Sequence, residues 1–246
     1  MKKAMLIAGA LLALTATAAL AQGGMNISWN NCGANGVPAI TSACASNTGT
    51  NRLVVTFVPP ADMPMFAAFQ GVLELQSDGD VLPAYWQLRN EAAIGQTNQC
   101  RNGALSAGID FSSFAGCEDP YFANGSGGLG RYTVGFGGPN RASLNFVFAV
   151  PTGAETQLSQ GVEYGGVSIN ISSIRTVGTT VCAGCNVGVC LKLQNVELLQ
   201  PEGPSYKLTN PTGQDFVTWQ SPSGLTCQGA TPSKSATWGS VKALYR

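Results

Sequence analysis

Apolar and polar residues alternate along much of this chain with a period of two, as they do in β-strands whose two faces meet different surroundings. Residues 142–150 show it most clearly, with Leu144, Phe146, Phe148 and Val150 on one face. Val167, Ile169 and Ile171 repeat the pattern within 162–171. Val189, Leu191 and Leu193 alternate with Cys190, Lys192 and Gln194. The β-branched run 53–58 stops at Pro59 and Pro60, which cannot donate to a ladder. A short strand over 72–76 ends in the turn cluster Ser77-Asp78-Gly79-Asp80. Residues 131–136 and 142–150 read as a hairpin around Gly137-Gly138-Pro139-Asn140. Residues 216–220 and the segment around Trp238 complete the strand signals.

Helical signals are thin. Residues 83–90 are expected to form about two turns, with Pro83 at the first helical position, and 61–69 another turn. The glycine-rich run from Asn124 to Gly130 lacks the Lys-Ser/Thr ending of a phosphate loop and reads as a flexible loop. The fold class is therefore all-β: an antiparallel β-sandwich or jelly roll with short helical turns, stapled by disulfides. Pro201-Glu202-Gly203-Pro204 is the best candidate for an internal boundary. A single domain over 22–246 is expected, with 201–246 docked on it as a C-terminal clasp.

Residues 1–21 have the layout of a secretory signal peptide: Lys2 and Lys3, an apolar stretch over 4–18, then Ala19-Leu20-Ala21 as cleavage site. That stretch is short of the roughly 20 residues of a membrane helix, and no second one follows. The mature chain is thus expected to begin near Gln22, without a membrane span. Export to the surface, periplasm or medium of a bacterium follows, and no cysteine succeeds the cleavage site to take a lipid anchor. Of 246 residues only 26 are charged, while 31 are glycine and 13 proline, a balance that suits strands and turns. Without Lys2 and Lys3 the chain has 11 basic and 13 acidic residues, so no basic face for nucleic acid is expected.

Histidine is absent from the sequence. Ser-His-Asp and Cys-His nucleophile systems are excluded in their standard form, and so are His-ligated zinc and copper sites. The eight cysteines are Cys32, Cys44, Cys100, Cys117, Cys182, Cys185, Cys190 and Cys227. In an exported chain an even count reads as disulfides. Proximity suggests Cys32–Cys44 and Cys100–Cys117; spacing does not decide the last four, for which Cys182–Cys185 with Cys190–Cys227 is the expectation. Cys182-Ala183-Gly184-Cys185 also invites a redox or metal reading, but no helix follows to stabilise a thiolate. A structural disulfide is the expectation, with no metal and no cofactor.

Aromatic rings at Trp29, Tyr85, Trp86, Tyr121, Trp219 and Trp238 either pack in a core or line a carbohydrate site. Tyr85 and Trp86 are singled out as ligand-binding candidates, because adjacent aromatics on a short turn cannot both face one core. Tyr121, beside Phe122, is the third. Glu74, Glu163 and Glu197 lie in strand-like runs, where two carboxylates about 5–9.5 Å apart would permit glycoside hydrolysis. Asp78, Asp80, Glu118 and Asp119 fall in turns, and Asp78-Gly79-Asp80 lacks the remaining ligands of a calcium loop. Asn26, Asn124 and Asn170 open N-x-S patterns, which have no consequence in a bacterial chain.

Trp29-Asn30-Asn31-Cys32-Gly33, Cys182-Ala183-Gly184-Cys185 and the ending from Thr237 to Arg246 resemble segments of uncharacterised exported bacterial Cys-rich β proteins. That resemblance spans most of the mature chain and implies no activity or site. The expected function is a non-enzymatic exported module that binds a glycan or a protein, or assembles with its own copies. The rival is a carboxylate-dependent polysaccharide hydrolase. In the tail, Trp219 and Trp238 are expected to dock on the body, because two exposed tryptophans would leave an apolar patch.

Overall fold

The computed structural model describes residues 23–220 and Cys227. The expected signal peptide, Trp238 and the C-terminal ending lie outside the described residues. Among the described residues thirteen strands follow one another: β1 (Gly24–Trp29), β2 (Ala39–Ile40), β3 (Thr50–Val58), β4 (Met63–Phe66), β5 (Ala68–Ser77), β6 (Leu105–Gly108), β7 (Ser126–Val134), β8 (Arg141–Ala149), β9 (Thr156–Leu158), β10 (Tyr164–Ser172), β11 (Val189–Leu199), β12 (Tyr206–Leu208) and β13 (Phe216–Trp219). One sheet has the order β1-β3-β10-β6. A seven-stranded sheet runs β2-β13-β11-β5-β8-β7, with β12 also paired to β11, and β4-β9 forms a small ribbon. Pairing is antiparallel except between β2 and β13.

The alternation seen in the sequence is what closes the sandwich. Leu53, Val55, Phe57, Val167, Ile169 and Ile171 point inward from one sheet, and Leu73, Leu75, Leu144, Phe146, Leu191 and Leu193 from the other. Phe57 meets Phe69 across the gap at 5.2 Å between ring centres. A bulge in β10 falls at Gly166, where a Cβ would overlap the Phe69 ring. A void between Leu53, Leu75 and Leu144 in the interior measures only about 10 Å³.

Several local expectations are corrected. Residues 61–69 form no helical turn but strand β4 and the start of β5. The 83–90 segment holds only a single 3-10 turn, Ala84–Trp86, with Pro83 extended just before it. The glycine-rich run is not a loop, since Ser126 to Leu129 pair with β8. Pro201 to Pro204 form the tight connection between the paired strands β11 and β12.

Four disulfides join Cys32 to Cys117, Cys44 to Cys185, Cys100 to Cys182 and Cys190 to Cys227. Neither pairing expected from proximity forms, and of the expected pairs only Cys190–Cys227 does. Cys32 follows β1 of the four-stranded sheet, whereas Cys44 follows β2 of the other sheet, so the chain has already crossed between layers. Cys100 and Cys117 are carried apart by the intervening edge strand β6. Cys182 and Cys185 belong to different bridges, so the C-x-x-C motif is not a redox pair. Four bridges place the folded chain in an oxidising compartment, extracellular or periplasmic. Among the described residues no helix is long and apolar enough to cross a membrane.

Candidate functional site

The aromatic residues singled out from sequence are all interior. Tyr85 and Trp86 retain 1% and 0% of their surface, and Tyr121 0%. The 3-10 turn caps one end of the sandwich, so both neighbouring rings can point into it. Trp86 meets Trp219 edge-on at 5.5 Å, and Tyr85 packs at 6.0 Å from the same ring. Trp29 joins them at 6.3 Å from Trp219. Tyr121 closes the opposite end, against Phe66 at 5.9 Å, and its hydroxyl donates to the Gly166 carbonyl at 2.8 Å. Burial pushes the Tyr121 phenol well above its usual range, and Asp119 adds to this. In this structure all three rings are packed in the interior and none presents a face at the surface.

Glu74, Glu163 and Glu197 do not converge either. Glu74 stands opposite Lys192, and Glu197 opposite Gln70, on the outer face of the seven-stranded sheet. Four residues of strand separate those positions, about 14 Å, well beyond the spacing of a glycosidase pair. Glu163 lies at the start of β10, on the other sheet. Asp78 and Asp80 occupy an exposed bend.

Glu163 is nevertheless the most distinctive of them. On the outer face of the four-stranded sheet, Asn26 of β1 stands directly opposite Thr56 of β3, which in turn faces Gly165 of β10. Thr56 donates its hydroxyl to Glu163 Oε1. The turn after β1 brings Gly33, at φ +46°, against the same carboxylate, where a Cβ would overlap both oxygens. Across the turn, the Glu118 N–H donates to the Glu163 carbonyl at 2.9 Å, and Gly165 returns a bond to Glu118 at 2.9 Å. Cys32 and Cys117 precede Gly33 and Glu118, so one disulfide fixes both sides of the carboxylate.

A third wall comes from residues 210–214, which run along the free edge of β1. Met25 and Ile27 donate to the carbonyls of Asn210 and Gln214 at 3.0 and 3.1 Å. Asn26, only 3% exposed, accepts the Gln214 N–H at Oδ1 (2.8 Å), and Gln214 Nε2 donates to the Ile27 carbonyl at 2.7 Å. Together Asn26, Gly33, Gly36, Glu163, Thr212 and Gln214 line a groove of about 470 Å³, within the range of small-ligand sites. Three ion pairs form among the described residues, and none includes Glu163.

A second groove, about 340 Å³, crosses the outer face of the seven-stranded sheet between Gln70, Asn145 and Lys207. Its polar groups answer one another: Gln70 donates to Glu197 at 2.7 Å, and Lys207 pairs with Glu197 at 3.1 Å. Both contacts hold the Glu197 carboxyl below its usual range, the Gln70 hydrogen bond first. The first groove carries an unanswered charge and the second does not. Sequence patterning touched Glu163 and Asn26 separately, the one as a strand carboxylate and the other as an N-x-S asparagine. Nothing in their spacing joins positions so far apart.

No protein-family model and no curated protein matches the chain. Among solved structures, it is similar to a cohesin module of a Clostridium perfringens family 33 glycoside hydrolase. The identity is 8%, over 80% of this chain and 92% of that one, with a TM-score of 0.36. The human F-spondin reeler domain is 10% identical over 80% of this chain and 87% of that one, with a TM-score of 0.27. Neither overlap is close enough to carry an argument about function.

Proposed function

We propose that the chain is an exported, non-enzymatic binding module of a bacterium, and that its ligand site is the groove around Glu163. The observation that carries this reading is a carboxylate without a cation partner among the described residues, held half-buried at a groove whose walls are fixed by Cys32–Cys117. Fixing a charged group costs chain entropy and partial desolvation, and a ligand that answers it recovers part of that cost. The separation of Glu74 from Glu197, and of both from Glu163, favours binding over carboxylate-pair hydrolysis. A glycan, a protein or a second copy remain the partner classes. An untargeted glycan array with the mature chain, joined to a native mass measurement, tests the reading. Retention of a ligand class that Glu163→Gln loses supports it; steady turnover of a polysaccharide by a monomer contradicts it.

A further inference from the structure

Resting on that reading of the groove, we infer that the group it takes is a primary ammonium with an oxygen acceptor beside it. The inference comes from which polar atoms the fold leaves over. Glu163 Oε1 is engaged by Thr56, leaving Oε2. Gln214 spends Nε2 on Ile27, leaving its carbonyl oxygen. Thr212 directs its hydroxyl proton to the Met25 carbonyl at 3.4 Å, leaving oxygen lone pairs. Asn26 spends Oδ1 on the Gln214 N–H, leaving Nδ2 as a donor. Beside the N–H groups left on Asn26 Nδ2 and on Gln214 Nε2, these side chains thus offer a set of three open acceptor oxygens, one of them charged.

An ammonium group carries three donors and no acceptor, which is the complement of that set. Among the described residues lining the groove Glu163 alone is charged, and its potential attracts a cation and repels a phosphate or carboxylate. Among the described residues no aromatic ring lines it. A quaternary ammonium is normally held by such rings, and a neutral sugar gains from stacking on one. Among the described residues neither platform is present, which favours a protonated amine over both. The Asn26 donor then meets a neighbouring hydroxyl or carbonyl oxygen. An amino sugar and a lysine side chain both offer this combination.

The two sources are separated by titrating the isotopically labelled mature chain with a glucosamine oligomer and, in parallel, with a trilysine peptide. Fully N-acetylated forms of each serve as controls, and amide shifts are the readout. The expected result is shifts at Gly33, Gly213 and Gln214 with one or both amines, and none with the acetylated forms. Glu163→Gln, whose amide oxygen can still accept from Thr56, should weaken binding at least about tenfold, the size of one charge-assisted contact. Gln214→Leu provides a second variant that removes an acceptor on the opposite wall. Equal binding of acetylated ligands at this groove, with Glu163→Gln indifferent, would overturn the ammonium assignment while leaving the groove a binding site. Shifts from no ligand, acetylated or free, in a folded chain would overturn both.

Discussion

Arg101 has no exposed surface, yet its guanidinium lies 3.6 Å from the centre of the Tyr85 ring. It donates to the carbonyls of Tyr85 at 2.9 Å, Ile174 at 3.0 Å and Ser172. No carboxylate balances it among the described ion pairs. Burial lowers its pKa, but a guanidinium starts so high that the charge survives. The planar fork reaching three carbonyls is what an ammonium cannot imitate. Arg101→Lys is therefore expected to lose about 2–4 kcal/mol in urea unfolding at neutral pH; a loss below about 0.5 kcal/mol would contradict this role. Glu74 makes the opposite kind of statement. Burial raises its carboxyl above the usual value, more than Arg141 and Lys192 lower it. The folded chain thus holds this proton more tightly than the unfolded one. The associated stability is present below the unfolded pKa and is lost as pH rises through the folded pKa. Glu74→Gln should melt at or above wild type at pH 7, and the gap should close on acidification through about 4.5. A Gln variant that is less stable at pH 7 and equal in acid would reverse the sign and refute it.

Strands were legible where one face is buried and the other wet, as in β8 and β10. β1 was not, because both of its faces are covered: Met25, Ile27 and Trp29 by the core, Asn26 and Ser28 by neighbouring chain. The strand character of Ser126 to Leu129 was hidden by its glycines. At Gly127 a Cβ would strike the backbone of β8, so packing rather than β propensity selects the residue. Of the expected clasp, 201–246, the described part is residues 201–220 and Cys227. β13 pairs with β11, Trp219 is fully buried and donates to the Cys185 carbonyl at 2.7 Å, and Cys227 is bonded to Cys190. Ending the chain after Gln200 removes β12, β13 and Trp219, and no cooperative melting transition is expected. Trp219→Ala alone should cost about 3–5 kcal/mol. A soluble, cooperatively melting product of the truncation would show that the strand is dispensable.

At the scale of the whole molecule, the cysteine count revealed a stapled exported chain but not its wiring. Pairing depends on which sheet each segment joins, and three of the bridges span 82, 85 and 141 residues. In the chain-entropy account each such closure contributes about 4–5 kcal/mol, comparable with the whole stability of many domains. Full reduction should therefore abolish the thermal transition, which calorimetry with and without reductant will read; a transition surviving within about 5 °C would contradict that weight. The candidate site escaped sequence reading for the same reason: residues 26, 33, 163 and 214 meet only after the disulfide and the edge segment are in place. The central claim is that this groove, with Glu163 at its floor, is where the protein binds. Amide-shift mapping of the oxidised mature chain against a retained array ligand tests it most directly. The account predicts perturbations centred on Gly33, Gly213 and Gln214, abolished by Glu163→Gln in a chain of unchanged melting temperature. Perturbations centred instead on Gln70, Asn145 and Lys207, unaffected by that substitution, would contradict it.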